Sequence, residues 1–464
     1  MSMHSKKRVS LLLIAAALAC VWGASRIRPE AESWARSLAA QPATPLEDAP
    51  PLMSLTVMAF GGFRGLVADV LWIRLIDLQK ESRVFEIAQL SDWITRLEPH
   101  FAVVWAYHAW NMAYNISVLF PDPDDRWRWV QQGVRLLRDD GLRYNPRNAT
   151  LYRELGWLYQ HKIGDVMDVA HRHYKAAWAR EMAGLLGGAH PPEAADPHDD
   201  RLRRMRQEYK LIPALMREVD AQLGPLDWRL PETHAVYWAW RGLKVAGDDE
   251  HKAACEQMLC QSMADAFRRG CLLTDPRSDL YLTTLKPDIL PRTIKTFELA
   301  LRNPRNKNTA QAYANFLTEA VVMLYLFQRD RAAREAFATL QALTGSPMTY
   351  DELITFCLRK AEEELPYKDA AAVVEAWLYR SYKATGDGKP DRASLCEQKA
   401  RALWDTYMRQ RPSEAQRLLT GLPPFPACQW AAWQRLDAEL KGADARERFR
   451  ALCPEPAQAH HAEP

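Results

Sequence analysis

Residues 148–182 read NATLYRELGWLYQHKIGDVMDVAHRHYKAAWAREM and carry the clearest structural pattern in the chain. Large and small side chains recur in this stretch at helical spacing, with Gly156 one turn after Tyr152 and Tyr174 one turn after Ala170. Small residues allow two helices to cross closely, while large residues fill the space around the crossing. The stretch therefore predicts a packed helical hairpin in which Gly156 and Ala170 lie at a close crossing.

The same stretch contains a His-Arg-His sequence, which could instead belong to a metal or acid–base site. His171 and His173 are two residues apart, so on a helix their side chains point about 200° apart. Zinc-binding histidines on one helix are four residues apart, as in H-E-x-x-H, and the chain lacks that motif. We interpret the two histidines as packed or solvent-facing, and we predict no metal ion, no cofactor and no catalytic residue.

The spacing of the hairpin resembles that of the tetratricopeptide repeat, W-x2-L-G-x2-Y followed by A-x3-F. Residues 152–159, YRELGWLY, fit the first half, and residues 170–174, AHRHY, fit the second. Two extra residues relative to the standard unit fall in the turn at Gly164-Asp165, where an insertion is tolerated. The resemblance implies a stack of helix pairs that presents a long surface to a partner.

Two further segments share parts of this pattern. One set of residues precedes its counterparts by 47 positions: Pro99 and Pro146, Trp105 and Tyr152, Ala109 and Gly156, Trp110 and Trp157. Another set reproduces the spacing of the unit of about 34 residues: Trp238, Gly242, Ala254 and Met258. The resemblance covers most of residues 60–410. It implies an all-α fold, an irregular α-solenoid of antiparallel helix pairs similar to a tetratricopeptide superhelix.

We predict six segments along the chain. In order they are a signal anchor or transmembrane helix (1–28), a linker (29–57), N-terminal repeats (58–186), an insertion or linker (187–230), C-terminal repeats (231–411), and capping helices with a tail (412–464).

The N-terminal segment predicts export of the body of the protein. Three basic residues, 6–8, precede the uncharged and mostly apolar run Val9–Ser25, whose length is at the lower limit for a spanning helix. Basic residues before such a run place the N-terminus in the cytoplasm. We expect a single-pass protein of the inner membrane with its body in the periplasm. Cleavage after Ala17-Leu18-Ala19 would give a secreted protein, and the sequence ALAC at 17–20 resembles a lipoprotein box.

The composition excludes several classes of function. Apolar residues make up 48% of the chain, which is enough for a large core, and a net charge of +3 indicates no nucleic-acid partner. The chain contains no G-x-x-x-x-G-K-[ST] phosphate loop, no G-x-S-x-G nucleophile elbow and no C-x-x-C pair. Past Cys20 there are seven widely spread cysteines, and an odd number of this kind does not form a disulfide framework.

Aromatic residues form the candidate partner-binding site. In the family that the chain resembles, the first helix of each pair lines the concave face, and side chains between the core positions point into the groove. These positions in the two clearest units give five candidates: Trp110, Tyr114, Arg153, Trp157 and His161. Two tryptophans on a concave wall could hold a peptide or stack on a sugar ring. Alternatively, both tryptophans pack against the 187–230 insertion or a neighbouring helix.

These observations favour a non-enzymatic, membrane-tethered scaffold that binds a partner protein or a membrane complex through its helical surface. The alternative is a cell-envelope protein that binds or processes glycans in a tryptophan-lined groove. Glycan cleavage would need two carboxylates about 5–10 Å apart, and the sequence identifies no such pair.

Overall fold

The computed structural model describes residues 64–192, 199–275, 281–363, 370–410, 413 and 422–456. The chain divides into two compact units, Met1–Arg64 and Gly65–Pro464, and nearly all described residues belong to the second. The predicted anchor and linker at residues 1–57 lie outside the described residues. Within the described part of the chain, no helix is long and apolar enough to cross a bilayer.

The described residues form an all-α protein, which confirms the predicted fold class. The α-helices in chain order are α1 (Arg64–Lys80), α2 (Val84–Leu97), α3 (Ala102–Trp110), α4 (Pro123–Arg135, with a further turn at Leu142–Tyr144), α5 (Ala149–Trp157), α6 (His171–Leu186), α7 (Asp200–Gln207), α8 (Pro213–Leu223), α9 (Pro231–Val245), α10 (Asp249–Arg269), α11 (Leu290–Leu301), α12 (Thr309–Leu326), α13 (Asp330–Thr344), α14 (Tyr350–Glu363), α15 (Ala370–Gly386), α16 (Pro390–Arg409), α17 (Phe425–Glu439) and α18 (Ala443–Leu452). Short 3₁₀ segments lie at Ser117–Leu119 and Pro287–Ile289.

Three of these helices continue as π-helical segments, and two of the segments reveal an internal repeat. The segments are Asn111–Ile116 after α3, Leu136–Gly141 after α4 and Leu158–Ile163 after α5. Both α3 and α5 are nine residues long and end on a tryptophan, and each is followed by a π-helical segment of six residues. The second copy begins 47 positions after the first, which is the offset that the sequence pattern shows.

Several consecutive helices pack closely across short turns, among them α9 with α10, α12 with α13 and α15 with α16. Small residues lie at some of the helix crossings. A Cβ added to Gly133 of α4 would lie 2.7 Å from the Ala109 backbone oxygen of α3. A Cβ added to Gly242 of α9 would lie 2.7 Å from Cys255 Sγ of α10. A larger residue would therefore displace the α3 backbone at Gly133 and the Cys255 thiol at Gly242, so both crossings favour the small residue.

The prediction for Gly156 was wrong about its packing partner. A Cβ at Gly156 would lie 3.3 Å from the Ala235 backbone oxygen of α9 and 3.6 Å from Met258 Cγ of α10. Gly156 therefore lies at a close approach to the following helix pair, whereas Ala170 is the residue that precedes α6. The helix α5 packs mainly against α9, because the side of α5 that carries Gly156 faces α9.

A short β-ladder interrupts the helical succession after α10. The strands β1 (Cys271–Leu272) and β2 (Thr283–Thr284) pair antiparallel, with Cys271 opposite Thr284. Thr284 Oγ1 donates a 2.5 Å hydrogen bond to Glu375 Oε1 of α15, and Arg435 of α17 donates to the same hydroxyl oxygen at 2.5 Å. The ladder therefore connects the middle of the chain to its C-terminal helices.

The segment assigned from sequence as an insertion, residues 187–230, contains α7, α8 and part of the core. Trp228 is fully buried, and its backbone N–H donates to the Ala189 carbonyl at 2.8 Å. Met216 and Val219 of α8 are also fully buried. The described part of this segment therefore packs as tightly as the helices around it.

Candidate functional site

The candidate site is a continuous run of ring contacts at the C-terminal ends of α3 and α5. The Trp110 and Tyr114 rings stack with centroids 5.6 Å apart and an interplanar angle of 24°. The Trp157 and His161 rings stack more closely, at 4.4 Å and 13°. A 2.9 Å hydrogen bond between the Tyr114 hydroxyl and His161 Nδ1 joins the two pairs. We call these four residues the aromatic run.

The internal repeat explains how four separate side chains come together. Trp110 and Trp157 are the last α-helical residues of α3 and α5, and Tyr114 and His161 occupy the same position in the π-helical segments that follow. A π-helical segment has wider turns than an α-helix, and such segments are frequent at functional sites. The two copies place their aromatic pairs side by side, so the repeat converts two local stacks into one surface.

The aromatic run rests on a buried ionic network. Lys162 Nζ lies 5.2 Å from the centroid of the Tyr114 ring and donates to Asp168 Oδ2 at 2.6 Å. Asp168 also accepts from Arg126 at 2.9 Å and from the Tyr174 hydroxyl at 3.0 Å. Burial acts to raise the pKa of Asp168, but the charge of Lys162 and the surrounding donors outweigh it and lower that pKa. The carboxylate therefore stays ionised and fixes the second π-helical segment.

The aromatic run has one edge in solvent. Trp110 is 37% exposed, and Tyr114, Trp157 and His161 are half-buried. Burial raises the pKa of the Tyr114 hydroxyl, and the Glu154 carboxylate raises it further, so the hydroxyl remains protonated at neutral pH. Neither the exposed indole nor the neutral hydroxyl changes its charge near neutral pH, so their contacts with a ligand would not depend on pH in that range.

Arg153, the fifth candidate residue, lies one turn before Trp157. Its guanidinium pairs with the neighbouring Glu154 carboxylate, and its side chain is 34% exposed. The structure thus brings four of the five candidates into one run and engages the fifth in a local ion pair.

A cavity of about 520 Å³ adjoins the aromatic run. It lies between the second π-helical segment, α10 and the first half of α12, and Trp157 and His161 form part of its wall. Exposed amide side chains face it from α10, from α12 and from the residue just before α12: Gln257, Gln261, Asn315 and Asn308. Because a carboxamide both donates and accepts hydrogen bonds, these side chains match the alternating N–H and C=O groups of a peptide backbone, and equally the hydroxyls of a sugar.

The floor of this cavity carries polar residues that the sequence did not reveal. Gln160 Nε2 donates to Asp265 Oδ2 at 3.0 Å, and Arg268 pairs with both Asp265 and Glu319. Gln160 and Asp265 are 105 positions apart. No local motif connects residues at that distance, so only the tertiary structure could identify the pair.

The two histidines of the His-Arg-His sequence have separate environments. His171 is buried, with Nδ1 3.1 Å from Lys175 Nζ, while His173 Nε2 lies 3.0 Å from Asp124 Oδ1. Their side chains thus point to different neighbours, as helical geometry predicts. Among the described residues, no group of His, Cys, Asp or Glu side chains is arranged to hold a metal ion.

Comparison with known proteins gave no match: no family model fits the chain, and no curated protein or solved structure is significantly similar to it.

Proposed function

We propose that this protein is a non-enzymatic scaffold, tethered to the membrane by its N-terminal segment, that binds a partner protein through its helical surface. The observation that carries the proposal is the aromatic run. Four residues singled out as groove positions form one run of contacts: Trp110, Tyr114, Trp157 and His161. Two of them, Trp157 and His161, line a cavity that also carries amides. Large aromatic side chains next to a polar wall are typical of protein–protein binding sites.

A tetratricopeptide-like solenoid is the architecture that this proposal requires. The repeated α3 and α5 units, each continuing into a π-helical segment, support it. The close crossings at Gly133 and Gly242 support it as well, because stacked helix pairs need small residues where backbones approach. In this architecture the partner lies along a face made by successive helix pairs.

The ligand that fits best is an extended peptide segment of the partner. The amides at the cavity match backbone hydrogen-bonding groups, and Trp157 provides an apolar contact beside them. A bound side chain that packs against Trp110 would bury the exposed edge of this indole. A peptide segment of a larger membrane complex fits the same site, and for such a complex this protein would act as an assembly factor.

A glycan is the second candidate ligand, and the same cavity favours it. An indole beside several carboxamides can stack on a sugar ring and hydrogen-bond its hydroxyls. This alternative makes the protein a cell-envelope glycan-binding protein.

The experiment that separates the two ligands uses the full-length chain with its N-terminal segment intact. The purified protein serves as bait for membrane and periplasmic extracts, with bound proteins identified by mass spectrometry, and is also applied to a glycan array. A partner that elutes with a competing peptide of its own sequence, with no signal on the array, supports the scaffold. Binding to glycans that free sugar abolishes supports the alternative and contradicts the peptide proposal.

A further inference from the structure

A second cavity, of about 560 Å³, lies on a different face of α10 from the aromatic run, between α8, α9, α10 and α11. Its floor is apolar, with Leu223, Leu259 and Ala300 all buried. At the rim, Leu299 of α11 leaves 46% of its surface exposed. The volume falls within the range of about 300–1,000 Å³ that is common for binding sites.

Cationic side chains surround this cavity. Five of its lining residues are cations: Lys244, Lys252, Arg292, Lys295 and Arg302. Only two lining residues are acidic, Asp249 and Glu256, so the lining carries a net charge of +3. The lining is therefore locally cationic, on a chain whose 61 basic and 58 acidic residues nearly balance.

The α11 helix carries most of this pattern on one face. Lys295, Leu299 and Arg302 follow one another at spacings of four and three residues, which places an exposed leucine between two exposed cations. The three residues therefore present an apolar contact flanked by positive charge to anything that enters the cavity.

Much of this positive charge is not neutralised within the protein. Lys244 pairs with Glu218, and Arg292 donates to the Asp220 backbone oxygen at 3.3 Å. In the part of the chain that the structure describes, Lys252, Lys295 and Arg302 form no ion pair. One of the two lining carboxylates, that of Glu256, accepts hydrogen bonds from Asn303 and Asn306 at 2.9 and 2.8 Å.

We propose that this cavity is a second docking site and that it binds an acidic, amphipathic peptide segment of a partner protein. An apolar side chain of the segment occupies the floor beside Leu299, and its carboxylates meet Lys252, Lys295 and Arg302. An amphipathic helix in a hydrophobic groove is a recurrent mode of peptide recognition, and complementary charge at the rim gives it specificity. The proposal does not depend on the aromatic run, because no residue of that run lines this cavity.

A peptide fits this site better than an anionic membrane does. The cations are distributed around a concave cavity formed by four helices rather than over a flat face. A planar bilayer would reach only the rim and would leave the apolar floor unfilled, whereas a helix can enter the cavity and contact both.

Site-specific photo-cross-linking in cells tests the proposal with the full-length protein. A benzophenone amino acid replaces Leu299, and a control chain carries it at Leu395 of α16, which is 54% exposed and outside the cavity. Mass spectrometry then identifies the cross-linked segment. We expect a protein segment rich in Asp, Glu and apolar residues at position 299, with a yield well above that at position 395.

Charge reversal is the second arm of the test. The triple variant Lys252→Glu, Lys295→Glu and Arg302→Glu should lower the cross-linking yield about tenfold, since like charges at a rim oppose docking. A matched triple variant reverses three exposed cations elsewhere and should leave the yield unchanged: Arg331→Glu, Lys441→Glu and Arg448→Glu. The chain that keeps its original rim charges should also give a lower cross-linking yield in cell lysate at about 0.5 M salt, where the Debye length is only ~4 Å.

Three results would overturn the proposal. Cross-linking of position 299 to a phospholipid would identify a membrane surface instead. A cross-linked segment without an excess of acidic residues would show that the ligand is not complementary in charge to the cationic rim. A yield that is insensitive to charge reversal and to salt, or that does not exceed the yield at position 395, would show that the cavity binds nothing. None of these results depends on whether Trp110 and Trp157 bind a partner.

Discussion

Lys175 places an amine in the interior of the protein, where only 7% of the residue is exposed. Burial, and after it the nearby charge of Arg269, lowers the pKa of this lysine to about 7 against the opposing charges of Glu232 and Asp165. Its Nζ lies 3.1 Å from His171 Nδ1. The amine therefore titrates near neutral pH, far below the range of an exposed lysine.

This lowered pKa predicts a pH dependence of stability. Between about pH 7 and 10 the unfolded chain holds the proton on Lys175 while the folded chain has lost it, so the contribution of Lys175 to stability rises with pH. Relative to Lys175→Met, the wild-type protein should gain up to ~1.4 kcal/mol of unfolding free energy per pH unit. Urea unfolding at about pH 7 and pH 8.5 measures this difference.

Lys441→Met removes an exposed lysine and is the control, because its pH dependence should match that of the wild type. The comparison between variants also cancels the titration of buried cysteines, which is common to all of them. Identical pH dependence for Lys175→Met and Lys441→Met would show that Lys175 keeps an ordinary pKa.

At the scale of single helices, the sequence predicted the positions of small residues better than their partners. Helical spacing identified Ala109 and Gly156 as equivalent, and both lie at close approaches. It assigned Gly156 to its own hairpin, whereas this residue meets Ala235 of the next pair. A small residue shows that a backbone comes close, but the identity of that backbone depends on how the pairs stack.

The π-helical segments could not be predicted from the sequence either, and the reason is related. Residues 111–116 and 158–163 show the spacing of an ordinary helix in the sequence, and no local motif marks their wider turns. The sequence could therefore propose Tyr114 and His161 as groove residues, but not the hydrogen bond that joins them.

The crossing of α3 and α4 gives a prediction at this scale. Gly133→Ala should destabilise the protein by ~1–2 kcal/mol, because the added methyl group would lie 2.7 Å from the Ala109 oxygen and the helices must separate. Alanine is the better helix former by about 1 kcal/mol, so the steric cost must exceed that gain. Thermal unfolding monitored by circular dichroism measures the outcome.

Gly184→Ala in α6 is the matched control. No atom lies within 4 Å of a Cβ at this exposed position, so only the gain in helix propensity remains, and a slight stabilisation is expected. If the two variants shift the melting temperature in the same direction, the close crossing at Gly133 does not exist.

At the scale of the whole molecule, composition and periodicity were sufficient to predict the fold class. Scarce glycine, frequent tryptophan and the lack of strand alternation indicated an all-α chain, and the described residues form one. The two cavities could not be predicted, since the shape of each depends on how its helices pack. These helices are consecutive along the chain at the cationic cavity and distant in sequence at the cavity beside the aromatic run. A repeat pattern specifies how one helix pair folds but not the shape of the space between pairs.

The proposed topology also belongs to this scale. The basic residues and apolar run at positions 6–25 predict a cytoplasmic N-terminus and an exported body. Protease added to spheroplasts should digest the body, while a cytoplasmic marker protein in the same sample remains intact. Complete protection of the body until the cells are lysed would refute the exported topology.

The central claim is that Trp110 and Trp157 bind a partner rather than maintain the fold. The direct measurement compares the double variant Trp110→Ala and Trp157→Ala with the wild-type chain, recording the melting temperature and the affinity for the partner recovered by the full-length bait. Removal of an aromatic anchor from an interface costs ~2–4 kcal/mol, so affinity should fall at least about 30-fold. The melting temperature should stay within a few degrees, because Trp110 is 37% exposed and Trp157 is half-buried.

The control replaces two half-buried tryptophans outside the aromatic run, Trp93→Ala and Trp129→Ala. It accounts for the loss of two indoles and should leave partner affinity unchanged. We predict lost binding with retained folding for the Trp110 and Trp157 variant alone. A variant that unfolds, or that stays folded and binds the partner as tightly as the wild type, would contradict the account and show that these tryptophans only pack.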